Sequence, residues 1–450
     1  MRQVLMVSPH FPPDTSAATH RVRLLAPHLA KYGWEPTILT VEPDAYEGRI
    51  EPGLLEMVSA PLRVIRCPAW SATWTRRVGF GDLGLRSLWG LYRACSTLLR
   101  REQFEALFIT IFPAYPALLG PLLKKRFGVP FVLDYQDPWV GAWGQSVGGG
   151  PGGSANLRSR LTREIALRLE PWVVKRADAI TAVSAGTYSA VRGRCPSIES
   201  KPTAEIPLGA EPADFEYLAQ HPRPNPFFDA ADGLFHICYV GTLLPMGFET
   251  LRAVLAAFRL LRDRAPQLYS HTRLHFFGTS NQTSPHVPKR VLPVAQELGV
   301  EACVTEVAPR IDYLDALTVQ CQASAILLLG SSESHYTASK LYPALLAGRP
   351  ILAVFHRASS VVEILQSATS MNKARVVEYD DVERAESRVV EIYEKLAAMV
   401  AWPCQTRRDS KALETPTSVF AESLAGRLAD VFDTVSRGVP TAESQEMIVS

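Results

Sequence analysis

The residues that most clearly indicate a binding or catalytic function lie between 325 and 355. There an apolar strand is followed by a polar loop and a short helix. The run AILLLG is followed by SSESHYTA and by a helix predicted from about Ser339 to Ala347, with Gly348 as its C-cap. Lys340 falls in the first turn of that helix, where the helix dipole disfavours a cation unless an anion is bound beside it. The pattern is typical of a diphosphate site, although a lysine that extends into solvent gives the same pattern.

Polar residues also follow the first strand, QVLMVS, at the position where open parallel sheets bind ligands. Asp14, Thr15 or Ser16 can cap the next helix, whose amide groups can hold an anion. Arg21 lies in the first turns of the same helix. Its side chain either faces solvent or contacts a phosphate or a sugar.

Three other strand ends carry residues of interest. Gln136 and Asp137 follow PFVLDY, and a carboxylate there needs a partner or a function. Asp137 precedes a proline, so it either begins a turn or contacts a sugar or an acceptor. Gly241 and Gly278 end two later strands, where a glycine allows the backbone to approach a ligand closely.

The motifs that are missing exclude several other classes of protein. Neither Gly241 nor Gly278 begins a GxGxxG fingerprint, and the chain has no GxxxxGK[ST] loop and no HExxH pair. The seven cysteines include no closely spaced pair, so we expect reduced thiols, no disulfide framework and no zinc site. We therefore expect no metal and no tightly bound cofactor.

Length and charge set broad limits on the protein. A chain of 450 residues predicts two or three domains, and 47% hydrophobic with 20% charged residues is ordinary for a globular protein. The formal net charge of +2 argues against a general nucleic-acid binder. The sequence shows no signal peptide or membrane-spanning run, which predicts a cytoplasmic protein that is either free or peripheral at the inner membrane face.

The elements that must position these residues alternate regularly along the chain. Short apolar runs, several without alternation, predict parallel strands that are covered by helices on both faces. The helices between them include THRVRLLAPHLAKYG, whose apolar residues fall on one face. Strand and helix alternate in this way twice, which predicts two doubly wound α/β domains. The predicted strands are QVLMVS, EPTILTV, LRVIRC, ALFIT, PFVLDY, AITAVS, FHICYVG, RLHFFG, AILLLG and RPILAV.

The proline-rich, polar stretch near 210–233 is the best candidate for a domain boundary. It predicts a first domain over 1–215, a linker over 216–233 and a second domain over 234–400. The segment 401–437 contains an amphipathic helix, and 438–450 forms a tail.

Residues 70–101 combine tryptophans and arginines with a single acid, Asp82. One helical face carries three arginines spaced by seven, Arg86, Arg93 and Arg100. The simplest interpretation is a helix whose basic face is exposed to solvent. A basic surface with exposed tryptophans would equally suit docking on an anionic membrane.

Nearly the whole chain resembles the retaining glycosyltransferases of the GT-B fold in the large family GT4. The similar segments are PPDTSAATHRVRLLAPHLAKYG, DYQDPW, RADAITAVS with IPLGAEPADF, YVGTLLPMGFETLRAVLAAF and SSESHYTASKLYPALLAGRPIL. The resemblance implies two Rossmann-like domains that face each other across a cleft, with the C-terminal helix returning to the first domain. It also implies metal-independent transfer of a sugar from a nucleoside-diphosphate sugar to an acceptor, in polysaccharide or glycoconjugate synthesis. The acceptor would be a saccharide or a lipid-linked molecule.

The resemblance assigns expected roles to residues at three places. The expected catalytic residues are Asp137, Glu333 and His335. The expected donor-binding residues are Gly241, Thr242, Gly278, Ser339, Lys340 and Arg349. The expected acceptor-side residues are Asp14, Thr15, Ser16, Arg21 and Gln136.

Several positions depart from the family pattern. Pro343 stands where the second glutamate of the signature is expected, and Thr242 and Met246 replace the usual basic pair. Gln136 replaces a histidine, and Thr15 begins the sequence Thr-Ser-Ala where a glycine pair is usual. The missing basic pair and Pro343 leave one rival open, a non-catalytic GT-B relative that binds a glycan or a protein. A nucleotide-sugar epimerase, which can share the GT-B architecture, is the other rival.

Overall fold

The computed structural model describes residues 1–58, 60–77, 79–140, 157–280, 282–332, 338–367, 374–401 and 416–437. The chain divides into two compact units. The first unit contains residues 1–208 and 421–450, and the second contains 209–420. Each unit is built on its own parallel sheet.

The first unit contains a seven-stranded parallel sheet in the order β3-β2-β1-β4-β5-β6-β7. Its central strands are apolar on both faces, and all six residues of β4 are buried, as expected for strands covered by helices on both sides. The strand order reverses between β1 and β4, which makes that position the topological switch point where such sheets bind ligands. The strands are β1 Arg2–Val7, β2 Trp34–Val41, β3 Arg63–Cys67, β4 Ala106–Ile111, β5 Phe131–Tyr135, β6 Ala179–Ala182 and β7 Thr203–Glu205.

Helices connect these strands. The helix predicted after β1 is α-helical at first and continues as a 3₁₀ helix over Ala26–Tyr32, and its predicted apolar face is buried. The helices are α1 Thr19–Leu25, α2 Gly53–Glu56, α3 Ala72–Arg77, α4 Leu83–Arg101, α5 Leu119–Phe127, α6 Leu157–Val174 and α7 Ala185–Arg192, with further 3₁₀ turns at Pro43–Ala45, Tyr115–Leu118 and Pro196–Ser200.

The second unit contains a six-stranded parallel sheet in the order β10-β9-β8-β11-β12-β13. All five residues of β11 are buried. The switch point lies between β8 and β11, which pair through Ala325 opposite Ile237 and Ile326 opposite Cys238. The strands are β8 Phe235–Val240, β9 Thr272–Phe277, β10 Val304–Val307, β11 Ala325–Leu329, β12 Ile351–His356 and β13 Ala374–Tyr379.

Eight described α-helices belong to the second unit, and the last helix of the chain belongs to the first. The helices of the second unit are α8 Pro212–Gln220, α9 Phe248–Arg264, α10 Pro266–Ser270, α11 Leu292–Glu297, α12 Tyr313–Gln322, α13 Leu341–Leu346, α14 Ser360–Ser367 and α15 Val389–Val400, with 3₁₀ turns at Pro245–Gly247, Glu301–Cys303, Ala385–Arg388 and Thr417–Val419. None of the helices described in either unit combines the length and the apolar content needed to cross a membrane.

The closing helix, α16 Ala421–Ser436, packs into the first unit, as predicted. Phe432 is fully buried there and makes edge-on contacts with the rings of Trp34 and Phe108, with ring centroids 5.3 and 5.9 Å away. The C-terminal residues thereby complete a layer that covers the first sheet. The predicted tail 438–450 lies outside the described residues.

The change from the first unit to the second comes earlier than the sequence predicts. It falls after Leu208, and the predicted linker 216–233 lies inside the second unit. The reason is α8, in which Leu218 is buried and Asp214 accepts a hydrogen bond of 2.8 Å from the Tyr313 hydroxyl group. The proline-rich composition of this stretch thus accompanies a packed helix and its following loop.

Candidate active site

Lys340 lies at the switch point of the second sheet, beside the end of β8. Its ammonium group donates a hydrogen bond to the Tyr239 hydroxyl group and another, of 3.1 Å, to the carbonyl oxygen of Thr242. The same nitrogen lies 4.2 Å from the centre of the Tyr239 ring, within the range of a cation–π contact. We call Tyr239, Gly241, Thr242 and Lys340 the lysine cluster.

The lysine cluster holds a cation under conditions that disfavour its charge. Burial lowers the pKa of Lys340 to about 7, because the charged form loses hydration. Among the described residues, no carboxylate forms an ion pair with it; its polar partners there are a hydroxyl and a carbonyl group. An anion bound beside Lys340 would supply the missing negative charge and restore the protonated form.

Gly241 provides space for the lysine. Its φ of +126° is a conformation that residues with a side chain rarely adopt, and a Cβ atom there would lie 3.1 Å from Cε and 3.3 Å from Nζ of Lys340. The amide of Gly241 donates to the carbonyl oxygen of Phe277 at 2.8 Å. Gly241 therefore allows the lysine side chain to lie close to the backbone. Its own N–H group is not available to a ligand, because it already donates to Phe277.

Loops from neighbouring strands hold residues 241–247 in place. The amide of Leu243 donates to the carbonyl oxygen of Thr279 at 2.9 Å, which follows Gly278 at the end of β9. Arg290 donates to the carbonyl oxygen of Leu243 at 2.7 Å. The amide of Ser332 donates to the carbonyl oxygen of Met246 at 2.9 Å. The lysine cluster thus sits on a fixed backbone.

The structure brings some of the expected donor residues together. Thr242 joins the lysine cluster through its carbonyl oxygen, and Ser339 is exposed next to Lys340. The helix begins at Leu341, so Lys340 is its N-cap and not a first-turn residue. Gly278 has a φ of +67° and begins the loop that supports residues 241–247.

Arg349 lies elsewhere. It comes two residues before β12 and is therefore at the amino-terminal edge of the sheet, opposite the edge that carries the lysine cluster. Burial raises the pKa of the Cys321 thiol near the end of α12, and the positive charge of Arg349 opposes that shift. Its position before β12 does not place Arg349 in the lysine cluster, and its role in donor binding stays a prediction.

Two of the expected catalytic residues, Glu333 and His335, belong to residues 333–337, which lie outside the described ranges. Their roles stay predictions. Asp137, the third, follows β5 in the first unit. Its side chain is exposed, and desolvation by nearby protein raises the pKa of its carboxyl group.

At the switch point of the first unit, Asp14 is the centre of a polar cluster. Its carboxylate is buried and accepts hydrogen bonds from His10 at 2.7 Å, Ser16 at 2.5 Å and Thr19 at 2.8 Å. Burial alone would raise the pKa of Asp14, but these hydrogen bonds and the charge of His10 outweigh it and lower the pKa. Thr15, which is also buried, donates to the carbonyl oxygen of Arg49 at 2.8 Å and so helps to fix this loop.

His10 is the residue of this cluster that the sequence reasoning missed. Its ring lies between those of Tyr46 and Phe112, at centroid distances of 6.1 and 5.9 Å. Because Asp14 accepts from Nδ1, the other ring nitrogen remains available to a ligand's hydroxyl group. The signal in the sequence was a histidine just beyond the first strand, four residues before an aspartate.

Arg21 has a structural role in place of the predicted contact with a ligand. Its side chain is fully buried and donates to both carboxylate oxygens of Asp134, at 2.8 and 2.5 Å. A third nitrogen donates to the carbonyl oxygens of Ile206 and Pro207, at 2.5 and 3.0 Å. Asp134 needs this neutralisation because it lies on the fully buried strand β5.

Gln136 is the expected acceptor-side residue that retains an unused polar atom. Its amide nitrogen is buried and has no hydrogen-bond partner among the described residues. Buried amide groups are normally satisfied, so we expect a partner beside it that the described residues do not supply. In the described parts of both units, no group of three or more histidine, cysteine, aspartate or glutamate side chains is placed to hold a metal ion.

Comparison of the sequence with known families supports the resemblance. Residues 16–209 match the family described as "Glycosyl transferase 4-like domain". A search of curated proteins found no significant match.

Solved structures match the fold over nearly the whole chain. A UDP-forming α,α-trehalose-phosphate synthase from Burkholderia vietnamiensis has a TM-score of 0.57 and 12% identity, covering 98% of this chain and 100% of that one. HepE from Anabaena, crystallised with UDP-glucose, has a TM-score of 0.53 and 12% identity, covering 97% and 98%. A putative UDP-N-acetylglucosamine 2-epimerase from Listeria monocytogenes has a TM-score of 0.52 and 10% identity, covering 97% of each chain. The predicted two-domain α/β fold of GT-B type is confirmed.

Proposed function

We propose that the protein is a glycosyltransferase, because residues 16–209 match the family described as "Glycosyl transferase 4-like domain" and the chain has a fold of GT-B type. It moves a sugar from a nucleoside-diphosphate sugar to an acceptor hydroxyl group. The observation that carries the proposal is Lys340, a partly buried ammonium group at the switch point of the second sheet with no carboxylate partner among the described residues.

The proposed role of Lys340 is to bind the diphosphate of the donor and to neutralise it as it leaves. Negative charge grows on the leaving group in the transition state, and a cation already in position stabilises it without reorganisation. Gly241 lets the ligand and the ammonium group approach the backbone. Thr242 also supports this role, because its amide donates to no described residue and is therefore available to a phosphate oxygen.

The proposed roles of Glu333 and His335 are contacts with the donor sugar. For the first unit, we propose that Asp137, Gln136 and the cluster around Asp14 and Ser16 contact the acceptor and the reacting centre. His10 belongs to that cluster, and its free ring nitrogen can orient an acceptor hydroxyl group.

We propose, from the family resemblance, that the transfer needs no metal ion and retains the configuration of the sugar. Lys340 would supply the positive charge that a metal ion provides in other transferases. Activity that survives a metal chelator and a product with the donor's anomeric configuration, both measurable by NMR, would support this part. Loss of activity that added metal restores, or an inverted anomer, would contradict it.

The proposed acceptor is a saccharide or a lipid-linked molecule in the synthesis of a surface polysaccharide or glycoconjugate. A lipid-linked acceptor would require contact with a membrane, and we propose that residues 70–101 provide it. The exposed tryptophans and arginines of this segment support the assignment.

The first test is a thermal-shift panel of nucleoside diphosphates and their sugars, with UDP-glucose as the first probe because a protein of the same fold was crystallised with it. A specific ligand raises the melting temperature by mass action. A panel in which no nucleotide or nucleotide sugar stabilises the protein would favour the non-catalytic interpretation.

The second test is Lys340→Ala in a transfer assay. We expect the transfer rate to fall by about 10²-fold or more, the scale for the loss of one charge-stabilising group. Lys289→Ala is the matched control, because Lys289 is an exposed lysine of the same unit. Wild-type rates in Lys340→Ala would contradict the assignment.

An epimerase acting on nucleotide sugars is the second candidate, since the fold also matches an epimerase. Incubation of the identified nucleotide sugar without an acceptor separates the two functions. Only an epimerase converts the sugar into its epimer under these conditions, and NMR detects the product directly.

A further inference from the structure

Residues of helices α3, α4 and α5 of the first unit line an open apolar cavity of about 420 Å³. Its volume lies within the range of about 300–1,000 Å³ for pockets that hold small molecules. Its walls include Phe80, Leu85, Leu88, Trp89, Leu119 and Leu122. Such walls offer a sugar or a nucleotide few hydrogen-bonding groups, so the occupant that they suit best is a hydrocarbon.

The rim of the cavity is unusually rich in exposed apolar side chains. Of the residues that line the cavity, Trp70 is 57% exposed, Trp89 55% and Phe80 52%. Trp74, which is 61% exposed, comes directly before the lining residue Thr75 on α3. A group of exposed apolar side chains on one segment of a protein surface marks a site of contact with a partner or a membrane. Tryptophan is also the residue that prefers the interface between hydrocarbon and water.

The charges around the cavity define the partner further. Arg77, Arg93, Arg100 and Lys125 are exposed and form no ion pair with any residue that the structure describes. Asp82 is the single acid between 70 and 101. Glu47, which pairs with Arg76 at 3.1 Å, adds one acid beside these helices. The exposed cations of α3, α4 and α5 still outnumber the acids, which complements an anionic surface.

Arg86 differs from the other arginines of the predicted basic face. It is buried, and it donates to the carbonyl oxygens of Trp70 and Ala45, at 2.9 Å each. The expectation of a solvated side chain is wrong for this residue. Its bonds to Trp70 instead fix one side of the cavity, so the opening is shaped before any ligand arrives.

We propose that this cavity takes one hydrocarbon chain of an anionic phospholipid, while the basic residues around it bind the headgroup surface. The inference deepens the membrane contact proposed for residues 70–101 and rests on it. Each feature matches one layer of a bilayer. The apolar walls suit the hydrocarbon chain, the exposed tryptophans suit the interface with water, and the exposed cations suit the anionic headgroups.

The first experiment measures sedimentation of the full chain with vesicles, without any nucleotide sugar. We expect binding to vesicles of phosphatidylcholine mixed with phosphatidylglycerol, little binding to phosphatidylcholine alone, and weakening in high salt. Replacing Trp74 and Trp89 together by alanine should weaken binding by about tenfold or more. Leu161→Ala is the control, because Leu161 is 61% exposed on α6 and does not line the cavity.

The second experiment separates chain insertion from adsorption to the surface. Phosphatidylglycerol with a photoreactive group near the end of one acyl chain should label peptides containing Leu88 or Leu119, the inner wall of the cavity. Leu122→Trp fills the cavity and keeps the surface apolar, so this variant should still sediment with vesicles and lose the internal label.

Three results would overturn the proposal: no sedimentation with anionic vesicles, labels confined to the rim, or internal labelling by a polyprenyl phosphate but not by the phospholipid. The last would assign the cavity to the acceptor's own chain. Because no nucleotide sugar is present, failure here leaves the transferase proposal untouched, and an inactive transferase can still bind lipid.

Discussion

Two cations that look alike in the sequence, Arg21 and Lys340, have opposite surroundings. Arg21 is fully buried and has a complete set of partners: both carboxylate oxygens of Asp134 and two carbonyl groups. Lys340 is partly buried and has a hydroxyl group, a carbonyl group and an aromatic ring. Each follows a strand next to its switch point, so position alone does not distinguish them.

The difference lies in where the counter-charge comes from. The protein itself neutralises Arg21, and the ion pair between β5 and α1 is complete without a ligand. The lysine cluster lacks such a charge among the described residues, and burial lowers the pKa of Lys340 to about 7. A buried cation with a carboxylate partner is a structural feature, whereas one without such a partner is a candidate for binding an anionic substrate.

The largest effect is expected for Arg21→Met. The substitution leaves the carboxylate of Asp134 buried and unpaired, and removing one partner of a buried pair typically costs about 3–5 kcal/mol of unfolding free energy. Chemical denaturation measures this loss. Binding of UDP-glucose by the folded fraction should be unchanged, since Arg21 contacts no ligand in this account.

The pair of Arg21→Met with Asp134→Asn tests the same explanation. The double variant should recover part of the stability, because the unpaired charge is gone. Two results would show that the ion pair does not hold these elements together. One is a small loss of unfolding free energy in Arg21→Met, and the other is a loss in the double variant that exceeds the sum of the losses in the two single variants.

A smaller effect is expected for Gly241→Ala. The φ of +126° is strained for alanine, at a cost of about 1–3 kcal/mol, and the new methyl group would lie 3.1 Å from Cε of Lys340. We therefore expect lower stability and weaker donor binding. Gly33→Ala is the control: its φ is +82° with nothing within 4 Å of the added carbon, so it should cost stability without affecting the donor.

The smallest effect on stability is expected for Lys340→Met. The Tyr239 hydroxyl group still donates to the carbonyl oxygen of Thr242 at 3.0 Å, so no buried donor is left without a partner. The unfolding free energy should change by less than about 1 kcal/mol. A loss as large as that of Arg21→Met would remove the contrast between the two cations.

The sequence predicted the interior of both sheets and missed most of their edges. All ten predicted strands are present. The three that were missed, β7 Thr203–Glu205, β10 Val304–Val307 and β13 Ala374–Tyr379, are each the last strand of a sheet. An edge strand is covered less completely, so its sequence is short or mixed in polarity and lacks the continuous apolar run that identifies a buried parallel strand.

The candidate site was predictable only where strand ends meet. Reading the residues after each strand identified Gly241 and Lys340, which the pairing of β8 with β11 brings together. The same reading could not foresee that Asp134 neutralises Arg21, because their contact joins residues 113 positions apart. Arg349 follows a helix and not a strand, so the same reasoning does not place it beside Lys340.

The pH dependence of donor binding tests the central claim most directly. A bound diphosphate holds the proton on Lys340, so above the free pKa of about 7 binding must take up a proton and weaken by up to about tenfold per pH unit. Calorimetry with UDP-glucose at about pH 6 and about pH 8 measures this change. The account predicts tighter binding by the wild type at the lower pH, and weak, pH-independent binding by Lys340→Met. Equal affinity of the wild type at both pH values, or wild-type affinity in Lys340→Met, would contradict it.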